Sequence, residues 1–477
     1  MARVTRSLVW FRGKDLRLSD HAPLSSALEA GELVPLFVLD PYFFAPARAR
    51  ELPHRMQFML ESLAALQKNI AHLGSQLLLV EGKSVEVVPA LARRLGATRV
   101  LAQRWSEPFG RERDRRVAAS LDVPLELFEG ETLAAPETVR NGSGQPFSVF
   151  TPFARALRRG LAPKKPLPAP KKLPPLPRDV QHVSPALPTL GQLGIVENSE
   201  LQRGGERAAR ARLSEFLQGV AALYANQRDR MDLAGTSRLS ADLKFGTLSV
   251  RSVWTAAHEA LAREAPLALE VYTNELIWRE FSHASLWDRP QLLNQPFRTD
   301  FSGFPWLTDD DEGWRAWSEG RTGYPVVDAA ARQLLREGFV HNRARMIAAS
   351  FLTKHQLIHY RLGEQHYMKY LTDGDWAQNN AGWQWSAGCG TDAQPYFRVF
   401  NPTLQGEKFD PNGDYVRRYV PELAKLPAKF IHQPAAAPAK VLQAAGVRLG
   451  ETYPEPIVDH AMARDRFLKI AESHLKG

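Results

Sequence analysis

The chain has 477 residues, 44% of them hydrophobic, and its 61 Lys and Arg outnumber 52 Asp and Glu to leave a formal charge of +9. That length allows about two to four domains, and no run of eighteen apolar residues offers a spanning helix. The lone Cys389 excludes an internal disulfide and any Cys/His metal spacing, while the basic surplus favours a polyanionic partner, nucleic acid first.

The apolar run before Arg12 is too short for a leader peptide and reads as a first β-strand. The protein is therefore expected to be cytoplasmic. Residues 7–11, 33–40, 76–81, 99–103 and 125–128 are short apolar runs ending at turns, with helical stretches such as 53–73 and 85–95 between them. Pro53 suits the first position of its helix, where a missing N–H costs nothing. Strand–helix alternation at this spacing predicts a doubly wound parallel sheet, whose ligands sit off the carboxyl ends of the strands. No GxGxxG follows the first strand, so a dinucleotide site there is unsupported.

Residues 161–190 carry nine prolines in thirty positions. Such a segment is extended and semi-rigid, and it is expected to cross the surface as an inter-domain connection with solvated lysines. Beyond residue 200 helical periodicity takes over, at 206–223, 250–262, 267–284, 325–337, 342–360 and 364–373. The fold class is thus α/β plus all-α, with a long linker between. Because no Lys/Arg run exceeds a few residues, any basic patch must be assembled by the fold.

Four segments of the helical half could carry chemistry. Residues 235–240 read GTSRLS, whose hydroxyls and backbone N–H groups suit either a phosphate or an ordinary helix cap. Tyr224 and Arg228 lie just upstream, the arginine either a phosphate contact or a solvated face. Residues 274–281 read NELIWREF. Glu275 and Arg279 are spaced for a helical ion pair worth about 0.2–0.5 kcal/mol, with Trp278 in the same sector. Residues 341–350 read HNRARMIAAS, placing Asn342 and Met346 on one face while Arg343 and Arg345 point to different sides. Residues 373–385 read DGDWAQNNAGWQW. Asp375, Asn379 and Trp383 stand four apart, so carboxylate, amide and indole form a column on one helix face. That column suits a flat heteroaromatic with hydrogen-bonding edges, although core packing would also explain the indoles. Arg345 and Asp373 would pair if their helices pack. Trp306 and Tyr360 each read as core aromatics. Walker, nucleophile-elbow and HExxH motifs do not occur.

Taken together these segments resemble the DNA photolyase/cryptochrome family, most closely its class I cyclobutane pyrimidine dimer photolyases. The resemblance runs through VWFRGKDLRLSDH (9–21), TSRLSADLKFGTLS (236–249), NELIWREF, GYPVVDAAARQL (323–334), HNRARMIAASF (341–351), DGDWAQNNAGWQW and DAQPYFRVFNPTLQGEKFD (392–410). It implies an antenna domain over 1–135, a linker over 136–200 and an FAD-binding catalytic domain over 201–477. Tyr224, Thr236, Ser237, Leu239 and Ser240 would hold the FAD diphosphate. Arg345 and Asp373 would pair beside the isoalloxazine, Asp375 would lie near its polar edge, and Asn379 would face N5. As a neutral group, Asn379 would not readily supply the N5 proton.

The implied reaction is light-driven and redox-neutral. Photoexcited reduced FAD passes an electron to a flipped-out thymine dimer, the cyclobutane ring splits, and the electron returns. Glu275 would hydrogen-bond the dimer, Trp278, Arg279 and Trp385 would line its pocket, and Asn342 and Met346 would touch the lesion. Arg228, Arg343 and Arg398 would meet DNA phosphates. Enzymes for the (6-4) photoproduct carry histidine where Asn342 and Met346 stand, so the cyclobutane dimer is the expected substrate. A monomer needing no protein partner is expected.

Two departures from the family pattern stand out. The photoreduction relay of three tryptophans has Trp383 and Trp306 at its ends but Tyr360 in the middle, so electrons are expected to move more slowly or through another aromatic such as Trp376. The second concerns the antenna, a folate or a deazaflavin. Glu107 resembles the acid that holds a folate pterin, but LLNQPF (292–297) lacks the lysine some folate binders place there. A cryptochrome-type photoreceptor is the alternative, and the absence of a long tail after residue 410 weighs against it.

Overall fold

The computed structural model describes residues 5–29, 31–161, 164–180 and 184–476. Two compact units are delimited, Met1–Ala222 with Ser237–Pro290, and Leu223–Thr236 with Gln291–Gly477. The segment Ser237–Pro290, assigned to the helical half on sequence grounds, groups with the first unit.

In the first unit, β1 (Arg6–Phe11), β2 (Glu32–Leu39), β3 (Leu78–Glu81), β4 (Arg99–Gln103) and β5 (Leu125–Phe128) form a parallel sheet in the order β3-β2-β1-β4-β5. The strands are apolar on both sides because helices cover both faces. Along β1, Val9 and Phe11 enter one core with Leu33 and Phe37. Leu8 and Trp10 enter the other with Val34 and Leu36. Helices α1 (Pro53–His72), α2 (Ser84–Arg94) and α3 (Pro108–Ser120) belong to the alternation, and Pro53 opens α1 as its missing N–H predicts. The unit also contains α4 (Phe150–Gly160) and α5 (Pro266–Asp288).

The proline-rich stretch departs from a surface crossing. Residues 162–163 and 181–183 lie outside the described residues. The rest is extended and Lys164, Lys165, Lys171 and Lys172 are exposed, but Leu173 is wholly buried and its N–H donates to Leu73 O at 2.8 Å. The apolar residues spaced between the prolines anchor the strap to the first unit.

The second unit is helical, and no strand occurs among its described residues apart from isolated bridges. Its elements include α6 (Pro325–Glu337), α7 (Asn342–Ser350), α8 (Tyr360–Tyr370), α9 (Trp376–Ala387) and α10 (His460–Lys476). The helix predicted over 342–360 is interrupted. A π-helical turn, Phe351–His355, follows α7, and Leu357 adopts φ +60, a left-handed conformation rare outside glycine. Tyr360 therefore starts a new helix. One core holds Trp317, Ala348, Phe351, Tyr360, Tyr367, Trp383 and Cys389.

Candidate functional site

Within the second unit the site is built on α9. Asp375 takes the N-cap position, where its Oδ1 accepts from the N–H groups of Ala377 and Gln378 at 3.0 and 3.1 Å. One oxygen of the expected carboxylate column is thus committed to starting the helix. Gly388 ends it in the left-handed conformation at φ +91. The buried Asn380 and Gln384 fasten one side, their amides donating to Leu292 O at 3.0 Å each. Asn379, also buried, donates from Nδ2 to Glu364 O at 3.0 Å.

Sequence reasoning missed Glu364. It is 2% exposed and accepts from Asn380 Nδ2 at 2.9 Å. Burial raises its pKa to about 7, the Asn380 hydrogen bond opposing the rise. A glutamate on an amphipathic helix looks like a solvated residue, and only its i,i+4 spacing from Tyr360 hinted at a shared inner face.

Trp383 approaches α8 at Gly363, where a Cβ would meet the indole at 2.1 Å, so only glycine permits the contact. The ring lies 5.9 Å from Trp317 and 5.2 Å from Tyr367. Trp317 in turn lies 5.5 Å from the partly buried Trp314 and donates from Nε1 to Ala348 O. Tyr360 neighbours His359 at 4.9 Å, and Trp306 lies 6.2 Å beyond that imidazole. Tyr360 is buried, which holds its hydroxyl protonated far into the alkaline range. Tyr367 and Trp317 are thus aromatics packed on Trp383.

The expected Arg345–Asp373 pair forms at 2.9 Å, with Arg345 Nε also donating to Val340 O. Arg343 is engaged too, pairing with Asp229 at 2.8 Å and covering the Phe409 ring. Both arginines of HNRAR are thus ion-paired, although they point to different sides. Asn342 is exposed at the start of α7, and its Nδ2 lies 3.9 Å from Met346 Sδ one turn on. Arg228 sits over the Tyr224 ring and 4.0 Å from Asp229. Trp385 is half-buried and Arg398 exposed, while Thr236 is half-buried just before the unit boundary.

Within the first unit, Ser237 hydrogen-bonds the buried Tyr272, and Ser240 opens a short helix, Ser240–Phe245. The cap position falls on Leu239, which supplies no side-chain cap, so TSRLS is not an ordinary N-cap. On α5, Glu275 and Trp278 are half-buried. Trp278 stacks on Phe150, the first residue of α4, at 3.8 Å and 2°. Arg279 departs from expectation. It is 5% exposed and donates to Glu131 O at 2.7 Å, with Glu280 at 3.6 Å. The local pair with Glu275 yields to burial, and Arg279 spends its guanidinium on the interior of the unit. Glu280 accepts from Leu133 and Ala134 N–H groups, and burial raises its pKa to about 7. Glu107 is buried between Lys14 at 3.0 Å and Lys244 at 3.3 Å, so this acid is spent inside the unit.

Family models describe the same chain twice over. Residues 7–171 match the DNA photolyase model and residues 272–473 the FAD binding domain of DNA photolyase. A protein of Agrobacterium fabrum named deoxyribodipyrimidine photo-lyase is 40% identical, the alignment covering 97% of this chain and 96% of that one. The crystal structure of a bacterial class III photolyase from Agrobacterium tumefaciens superposes with a TM-score of 0.92 at 38% identity, covering 100% of this chain and 99% of that one. A Synechocystis cryptochrome superposes with a TM-score of 0.90 at 29% identity, covering 98% and 100%. With both halves matched in order and nearly every residue aligned, the chain belongs to the DNA photolyase/cryptochrome family.

Proposed function

We propose that this chain is a light-driven lyase that reverses cyclobutane pyrimidine dimers in DNA. The observation that carries the substrate is the Asn342–Met346 pair, an amide and a thioether in contact on an accessible helix start. Neither side chain can act as an acid, and (6-4) repair needs an imidazole there. The family's FAD, once reduced, supplies an electron donor that near-UV or blue light excites.

The residues fit that cofactor. A carbonyl only accepts, so the side-chain nitrogen of Asn379 must face Glu364 O and its Oδ1 must face away. Among the described residues no donor reaches that oxygen, which is left for the N5–H edge of a reduced flavin. The Arg345–Asp373 pair would lie beside the ring and Asp375 near its polar edge. Tyr224, Thr236, Ser237, Leu239 and Ser240 would hold the diphosphate side. Trp383, with Tyr360 and Trp306 or with Trp317, would refill the cofactor with electrons.

On the DNA side, Glu275 would hydrogen-bond the flipped dimer, and Trp278 and Trp385 would stack on it. Arg228 and Arg398 would meet phosphates, and Arg343 would exchange Asp229 for one. The division 1–135, 136–200 and 201–477 is the proposed functional one, with a folate or deazaflavin antenna in the first part. The enzyme would work as a cytoplasmic monomer on the nucleoid. No helix among the described residues is long and apolar enough to cross a membrane.

The deciding experiment gives the reduced protein oligonucleotides bearing either a cyclobutane dimer or a (6-4) lesion, in darkness and under blue light. Light-dependent restoration of the cyclobutane substrate alone is expected. Repair of only the (6-4) lesion would overturn the substrate, and repair of neither would leave the photoreceptor reading.

A further inference from the structure

We propose that Lys354 is a positioning residue for DNA binding, holding the loop of residues 391–400 from beneath so that Phe397 and Arg398 stand out from the surface. The inference rests on the reading of Arg398 as a phosphate contact.

Lys354 is wholly buried, yet among the described residues no carboxylate lies within ion-pair distance of it. Its ammonium instead donates to Arg398 O at 2.9 Å and to Tyr396 O at 3.4 Å. These two carbonyls bracket Phe397, which is 62% exposed, and the Arg398 side chain is exposed beside it. The loop has no helix or strand of its own. Its other ties include Gln394 Nε2 to Ser386 O at 2.9 Å, a turn from Arg398 N to Pro395 O at 3.0 Å, and the packing of Tyr396, Val399 and Phe400 on the core.

A buried charge is costly unless its donors are used. A lysine kept only for the core would be served by a carboxylate or replaced by methionine. Here the balancing dipoles belong to the loop, so the ammonium keeps its hydrogen bonds only while residues 396 and 398 hold this geometry. The ammonium nitrogen also lies 5.7 Å from the Phe467 ring centroid of α10, a cation–π contact. The lysine reaches the loop from the π-helical turn Phe351–His355, an irregularity that often marks a functional position. Burial lowers its pKa to about 7.

The test uses the FAD-loaded protein with Lys354→Met, Arg398→Ala and the double variant. Lys354→Met should keep flavin absorbance and photoreduction, raise amide exchange in residues 391–400, and bind a dimer-bearing duplex about tenfold more weakly. It should also lower the slope of log affinity against log salt by about one, as Arg398→Ala should. The double variant should be no weaker than the weaker single, because both act through one loop. A lysine serving only general stability would not change the salt slope at full flavin occupancy. Wild-type affinity and loop exchange in Lys354→Met, or additive losses in the double variant, would overturn the proposal. Wild-type binding by Arg398→Ala alone would sink the reading of that arginine, whereas weakened binding by Lys354→Met would still support positioning through Phe397. If Lys354→Met does not retain FAD, Lys354→Gln, which keeps a donor, decides. Raised loop exchange with bound flavin supports the role, and loss of flavin again overturns it.

Discussion

The side-chain amide of Asn379 is held at 3.0 Å by the main-chain oxygen of Glu364. Because the partner is a backbone group, no substitution at residue 364 removes it, and the orientation of Asn379 is set by the course of α8. An acid at 379 breaks this arrangement, placing two acceptors face to face at a buried position. Leaving a buried group unsatisfied costs about 1–3 kcal/mol. Asn379→Asp should therefore keep FAD but let the reduced cofactor reoxidise in air about tenfold faster or more. The half-life of the reduced flavin absorbance checks this, and an unchanged half-life would remove Asn379 from the ring edge.

Glu364 makes stability depend on pH. Its folded pKa of about 7 lies above the usual carboxyl value, so the folded state holds a proton that the unfolded chain has released. The associated stability is present below about pH 4.3 and is lost as pH rises toward 7, a change of up to about 3 kcal/mol. Glu364→Gln should erase that part of the profile, gaining on wild type between pH 5 and 8 in denaturant midpoint. The difference between the two proteins is the quantity to follow, because Glu280 imposes a slope of the same sign on both.

Photoreduction should discriminate between two aromatic exits from Trp383. Tyr360 is buried with a firmly held proton, so it loses an electron easily only if the proton leaves too. Trp317 needs no proton loss and lies 5.9 Å from Trp383. Trp317→Phe is expected to slow flavin photoreduction by about tenfold or more, an added barrier of at least 1.4 kcal/mol. Tyr360→Phe should slow it less. The reverse order would assign the relay to Tyr360.

Phe150 backs the Trp278 indole over its full face. Such a stack is worth about 0.5–1.5 kcal/mol. Phe150→Ala should free the indole and weaken dimer-specific binding by about two- to tenfold, leaving undamaged DNA affinity and FAD content unchanged. Equal losses on damaged and undamaged duplexes would separate Trp278 from lesion recognition.

The five strands were legible because a parallel sheet covered on both sides demands uninterrupted apolar runs. The Arg345–Asp373 pair was expected only on condition that its helices pack, which the family resemblance implied and spacing alone did not show. Other features depend on contacts that spacing does not encode. Arg279 has an ideal local partner in Glu275, yet the oxygen that claims it lies 148 residues away. Helical periodicity ran straight through residues 351–355, since a π turn changes the hydrogen-bond register without changing composition. Proline content correctly indicated an extended strap but concealed that Leu173 is core. Glu364 escaped notice because burial of a lone carboxyl is decided by α9, not by its own helix.

Cys389 is the single thiol of the chain and has no exposed surface. Burial holds it protonated far above the range in which thiols react. A thiol reagent can label this protein only during an excursion that opens the core around Cys389. The rate of modification therefore times that excursion in unaltered protein, and its slowing by a DNA ligand would read out rigidification without any introduced label.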